Sequence, residues 1–465
     1  MSEPDGTVFT QNLSVRGGRI NAVQGGDQYN YIYRSTPPYR VEPYPLGAGT
    51  VPPGLARVPS RLLTARHRLV PFAPRAELEL LEAWREDPAP GLSVRLLHGE
   101  GGQGKTRLAA EFIAGSARAG WTVAQARHRS EVASAGGGDE TLTVRSPGLV
   151  MVVDYAERWP LPDLITLIRQ HRDAARDRLR ILLLSRPAGD WWQDLAHQLS
   201  KLDIPDAEAV HLPGLPEDAE ARGTVYASAR DAFAAVLGLA VPAAVEAPAE
   251  LDAPGFGLML AVHMKALVDV DAAIRGVIPP SGRDLAALSS YLLDREHDHW
   301  RSSHDGGRGP VRTGERGMRR AVYVATLTPP LTAASAAAAL TRTAAADAAD
   351  AEQVLRDHAH CYPPQGAELL FESLSPDRLA EDFLALTLPG RENRYGYHAT
   401  DPWAATAPAK LLEHPEDGRP PPYARQVLTV LVETAHRWPH VVDRHLIPLL
   451  LHRPALVRAA GGAAL

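Results

Sequence analysis

One stretch constrains this chain more than any other: LLHGEGGQGKTRLA, residues 96–109. Gly99, Gly104, Lys105 and Thr106 satisfy the spacing G-x-x-x-x-G-K-[ST]. In such a loop the backbone N–H groups must converge on one anion, and glycine tolerates both the dihedrals and the close approach. Lys105 would then reach β- and γ-phosphates, and the Thr106 hydroxyl would ligate Mg²⁺. The following TRLAAEFIAG predicts a helix whose N-terminal dipole faces the same anion. The expected cradle is therefore Gly99, Glu100, Gly101, Gly102, Gln103, Gly104, Lys105, Thr106 and Arg107. The chain holds 38 glycines and four lysines in 465 residues, so the pattern is expected by chance roughly 0.003 times. A plain glycine turn between strand and helix is thus the weaker reading.

The flanks agree with that motif. Apolar runs at about 93–98, 121–127, 148–153, 179–185 and 208–212 alternate with helical patterns such as TRLAAEFIAGSARA and PDLITLIRQHRDAA. Alternation of this kind predicts a parallel sheet flanked by helices. LVMVV and ILLL are apolar on both faces, as central parallel strands must be. After residue 215 the strand patterns stop. Helical patterns then fill 216–305, a compact unit over 306–390, and the tail 391–465. The predicted core domain, 73–215, opens with a helix marked by Leu78, Leu80, Leu81 and Trp84. Before it lies a Pro/Gly-rich linker, 47–72. Residues 1–46 read as a short β-rich segment: Leu13, Val15, Ile20, Ala22, Tyr29, Tyr31 and Tyr33 fall at spacings of two, punctuated by Gly17-Gly18 and Gly25-Gly26. A poorly ordered tail is the other reading of that segment.

Composition removes several function classes. At 465 residues more than one domain is expected. A net charge of -6 gives no electrostatic case for wrapping nucleic acid or an anionic membrane. Cys361 is the only cysteine, which excludes an intrachain disulfide and a CxxC zinc site. The start carries no basic region followed by an apolar core, so a secretory signal is not expected. The longest apolar stretch, 232–245, is too short for a membrane span and is broken by Gly238 and Pro242. A cytoplasmic location is the default expectation.

Three residues complete the candidate chemistry. Asp154 ends the apolar run LVMVVD and is placed to be the second Mg²⁺ ligand beside Thr106, in the manner of a Walker B carboxylate. Glu157, three residues on, either orients or deprotonates a water, or is simply a solvated glutamate at the start of a loop. Arg186 follows the run RLRILLLS. In a parallel sheet all strand C-termini share one edge, so an arginine there can pair with a terminal phosphate. A surface arginine in an arginine-rich chain is the alternative. Tyr155 reads as a packing residue.

GEGGQGKTRLA, VVDYAE and LLLSRP, in this order, resemble the phosphate loop, Walker B region and strand-end sensor of the STAND class of P-loop NTPases, which includes NACHT and NB-ARC domains. The resemblance covers about residues 60–390 and is strongest over 93–187. It implies an α/β P-loop NTPase core, then an all-α helical subdomain, a winged-helix-like unit and the start of an α-helical repeat region. It further implies an ATP-binding regulatory NTPase with ATP or ADP and Mg²⁺ as cofactors. Such a switch hydrolyses slowly and forms homo-oligomers when ATP-bound. Its activating partner, a protein or another ligand, acts through C-terminal helices, and bacterial relatives serve signalling, transcription control and phage defence. Lys105, Asp154, Glu157 and Arg186 are the catalytic candidates. Two departures stand out: the family's small residue after the Walker B Asp is Tyr155 here, and GFGLML at 255–260 lacks the family's Gly-x-Pro proline. Two alternatives remain, a kinase transferring phosphate to a small molecule and a scaffold with a vestigial nucleotide site.

Overall fold

In a computed structural model, residues 18–24, 27–33, 37–47, 57–89, 91–128, 147–174, 178–186, 188–204, 207–242, 245–364, 369–391, 400–413 and 421–460 are described. Strands β1 (Gly18–Gln24) and β2 (Asp27–Tyr33) pair antiparallel as a separate two-stranded sheet. The expected strand around Leu13 and Val15 lies outside the described residues. Next come β3 (Tyr39–Pro43), the short turn α1 (Pro59–Leu62) and α2 (Ala76–Glu86). The alternating core follows: β4 (Leu92–His98), α3 (Lys105–Arg118), β5 (Thr122–His128), β6 (Gly148–Val153), α4 (Leu161–Ala174), β7 (Arg178–Ser185), α5 (Gly189–Ser200) and β8 (Ala207–His211).

These strands form one six-stranded sheet in the order β3-β5-β6-β7-β4-β8. Every pairing is parallel except β3 with β5. β3 was not among the expected strands. It is short, ends in Pro43 and occupies an edge, where a residue lacking a backbone N–H costs no ladder bond. The period of two assigns the layers. Leu96, Met151, Val153, Ile181 and Leu183 face Leu164 and Ile168 of α4 and Trp191 and Leu195 of α5. Their neighbours Leu97, Val150, Val152, Leu182 and Leu184 face Trp84 of α2 and Leu108, Phe112 and Ile113 of α3. All six residues of β6 are buried, which is why LVMVV carries no polar alternation.

The rest of the described chain is helical apart from one antiparallel bridge, Leu331 to Leu370. Helices α6 (Ala219–Leu237), α7 (Met259–Arg275), α8 (Leu285–His304), α9 (Glu315–Leu327), α10 (Ala333–Arg342), α11 (Ala351–Cys361), α12 (Asp377–Thr387), α13 (Ala407–Leu411) and α14 (Ala424–Ala435) share one apolar core running from Leu62 to Leu456. α6 begins on an Asp218 side-chain cap and stops at Gly238, whose φ of 82° suits glycine. α7 starts directly on the phosphate-loop motif: the Leu260 N–H donates to the Gly102 carbonyl at 3.0 Å. None of the described helices is long and apolar enough to cross a membrane.

Candidate phosphate-binding site

The strand order brings the three candidate segments to one place. β7 lies between β4, which leads into the glycine loop, and β6, which ends at Asp154. The crossover connections leave β4 toward β5 on one side and enter β8 on the other, so the loop sits beside a topological switch point of the sheet. The Gly99 N–H donates to the Arg186 carbonyl at 3.0 Å and joins the loop to the end of β7. Gly102 and Gly104 adopt φ of 93° and 96°, which a side chain would resist. A Cβ on Gly102 would also press within 3.1 Å of Leu260.

Lys105 is the first residue of α3, and its Nζ donates to the Gly99 and Glu100 carbonyls at 2.6 and 2.9 Å. Burial and then the nearby Arg186 guanidinium lower its pKa to about 8. A half-buried ammonium beside a half-buried guanidinium is an arrangement that an anion between them would relieve. The Thr106 hydroxyl lies 3.3 Å from Asp154 Oδ2. A hydroxyl and a carboxylate converging in this way suit a hard divalent cation. The carboxyl of Asp154 accepts from the Tyr155 N–H at 2.9 Å, while burial pushes its pKa upward. Gln103 is buried, and its Oε1 has no hydrogen-bond partner among the described residues. Arg107 pairs with Glu111 at 3.0 Å, one turn along α3.

Glu157 is not a solvated loop glutamate: it is 3 % exposed. Desolvation raises its pKa to about 7 against the pull of Arg158. Its Oε2 finds no hydrogen-bond partner among the described residues.

Arg186 has the most elaborate surroundings. Its Nη2 lies 2.9 Å from Asp377 and 2.5 Å from Glu381, and its Nη1 lies 2.7 Å from Glu433. Those carboxylates belong to α12 and α14, so the guanidinium at the sheet edge is clasped by the helical region. The same guanidinium sits where a Cβ on Gly101 would meet its Cζ at 3.1 Å. Burial opposes its charge, but Glu381, Asp377 and Glu433 outweigh that cost and push its pKa up. Tyr155 belongs to the same junction. It holds a left-handed φ of 52°, donates its hydroxyl to Asp377 at 2.8 Å, and carries the Arg158 guanidinium 3.8 Å above its ring. A left-handed residue with a Cβ costs roughly 1–2 kcal/mol, which these contacts offset. Arg437 closes the far side by pairing with Glu381 at 2.7 Å and Asp382 at 2.6 Å.

The structure thus brings Lys105, Thr106, Asp154, Glu157 and Arg186 to one sheet edge. Asp377, Glu381, Glu433 and Arg158 were missed by the sequence reading. One signal was available: Asp377 and Glu381 are spaced i,i+4, on one face of a helix that is otherwise mostly apolar. Glu433, a lone acid in LTVLVETA, was a second.

No family model matches the chain, and none of the curated proteins matches it. Among solved structures, the Aeropyrum pernix ORC2 protein in its ADPNP–ADP complexes is similar at 16% identity and a TM-score of 0.35, over 70% of this chain and 96% of that one.

Proposed function

We propose that the protein is an ATP-binding regulatory NTPase of the STAND type, held here in a latched form. The observation that carries the reading is the position of Arg186, between the glycine loop and three carboxylates of α12 and α14. In this reading Lys105 and the loop amides hold the β-phosphate, and Thr106 and Asp154 hold Mg²⁺, which neutralises phosphate charge. Glu157, with its pKa raised to about 7, orients or deprotonates the attacking water. A γ-phosphate arriving at the edge competes with Asp377, Glu381 and Glu433 for the same guanidinium. ADP leaves the clasp intact, whereas ATP weakens it and frees the helical region to take part in self-assembly. Helices α9 to α11 and the Leu331–Leu370 bridge are compatible with the winged-helix-like unit that the sequence resemblance implies. Defence or signalling as the physiological setting follows from that resemblance alone.

The test is the oligomeric mass of wild type and Lys105→Ala with ADP and with a non-hydrolysable ATP analogue, alongside steady-state hydrolysis. The reading expects assembly of wild type with the ATP analogue only, and turnover well below the median enzyme rate of about 10 s⁻¹. Fast turnover with an unchanged mass would overturn it in favour of a metabolic NTP-dependent enzyme. ATP binding unchanged by Lys105→Ala would leave a scaffold.

A further inference from the structure

Beside the Walker B segment lies a cleft of about 260 Å³ that shares only Glu157 with the proposed nucleotide chemistry. Most of its lining is apolar, including Trp159, Leu161 and Trp191 of α5. Three acids line it, Glu157, Asp190 and Asp194, against a single cation, Arg425 of α14. The Glu157 side chain is 97 % removed from solvent, and its Oε2 has no partner among the described residues. A buried carboxylate oxygen without a donor is costly, and a ligand donor removes the cost. Aromatic walls and a surplus of negative charge favour a cation with a flat apolar body. At this volume the cleft lies just below the usual range of about 300–1,000 Å³ for ligand sites and suits a ligand smaller than a nucleotide.

We infer that this cleft is an effector site for a small organic ammonium carrying an aromatic or similarly flat apolar group, its N–H met by the Glu157 carboxyl after a side-chain rotation and its body lying against Trp159 and Trp191. The site touches both bodies of the latch. Glu157 precedes Arg158, which reaches Asp377 at 3.7 Å, and Arg425 shares α14 with Glu433. An occupant therefore ties the sheet edge to α14 and holds the clasped form. It also takes up the carboxylate that water activation would need. That consequence for turnover rests on the proposed role of Glu157; the binding itself does not.

The experiment is calorimetric titration of the full chain at pH 8, above the value of about 7 to which burial raises the Glu157 carboxyl, with tryptamine and with its uncharged analogue indole-3-ethanol, in EDTA and without nucleotide. Tryptamine is expected to saturate one site and to bind about tenfold or more tighter than the alcohol, as a charge-assisted contact requires. The near-isosteric Glu157→Gln should weaken tryptamine by about tenfold or more and leave the alcohol unchanged. Asp194 is exposed, so Asp194→Asn tests the flanking charge without disturbing the core, and a several-fold weakening is expected. Equal binding of amine and alcohol, tryptamine binding insensitive to both substitutions, or no saturable binding would overturn the proposal. Lys105→Ala should bind tryptamine as wild type does, so failure of the nucleotide reading and failure of this one are read separately.

Discussion

The clasp around Arg186 makes a prediction whose size follows from its distances. Glu433 is the only one of its three carboxylates that comes from α14, at 2.7 Å. With charge centres ~4 Å apart and an effective dielectric of ~20, Coulomb attraction is about 4 kcal/mol. Taking both ions partly out of water cancels much of this, leaving a net coupling of about 1–3 kcal/mol. Glu433→Gln keeps the shape and removes the charge. It should loosen α14 from the sheet edge by about 1–2 kcal/mol, raising the open population about 5–30-fold. Arg186→Gln is the harsher change. It leaves Asp377, Glu381 and Glu433 facing one another without the guanidinium that all three pair with, and should cost about 3–5 kcal/mol.

Hydrogen exchange by mass spectrometry is the assay, read on peptides from α12 and α14 and on a control peptide from β6. Faster exchange should appear in the two helices and leave β6 unchanged, because β6 is fully buried and opens only with the whole domain. The double-mutant cycle of Arg186→Gln and Glu433→Gln should return a coupling of about 1–3 kcal/mol. A cycle that closes within about 0.5 kcal/mol, the additivity of independent sites, would refute the clasp as an energetic link.

Three further outcomes are expected. Lys105→Ala should abolish binding of a fluorescent ATP analogue yet leave the nucleotide-free melting temperature equal or higher, because it removes a half-buried ammonium already pressed down to about pKa 8 beside Arg186. Tyr155→Phe removes the hydroxyl that Asp377 accepts at 2.8 Å and should cost about 1–2 kcal/mol in urea unfolding. Glu157→Gln should change the pH profile of stability in EDTA. The native carboxyl holds its proton up to about pH 7 against an ordinary value of 4.5, so wild-type stability falls as pH rises between those values. The glutamine variant escapes that loss. It should match wild type below about pH 4.5 and exceed it by about 3 kcal/mol above pH 7, measured by denaturant titration.

The sheet was legible because its signals are local. Period and apolar runs marked β4 to β8, and the rare Lys105 fixed the loop between β4 and α3. β3 escaped because a five-residue edge strand ending in proline carries the same composition as a linker. The clasp escaped for a different reason. Arg186 and Glu433 are separated by 247 residues, and no local pattern reports which acid on which helix will meet a given guanidinium. Tyr155 shows the same limit: its sequence position suggests packing, yet its hydroxyl spans 222 residues to reach Asp377.

Strand order links these facts. Because β7 separates β4 from β6, the residue after β7 stands between the lysine that would bind phosphate and the carboxylate that would bind metal. Whatever occupies that position is exposed to the charge of the bound group on both sides. An arginine there carries a charge at any physiological pH, so it must always be matched by an anion. In this structure the match comes from α12 and α14. Under the proposed reading the γ-phosphate offers an equivalent match, and the two cannot be optimal for one guanidinium at once. Breaking a clasp coupled by about 1–3 kcal/mol per carboxylate needs a ligand that binds the unclasped state more tightly by a similar amount. Under the same reading, Mg²⁺-coordinated triphosphate would differ from diphosphate by one phosphoryl group beside Arg186, which is the difference such a switch would have to read.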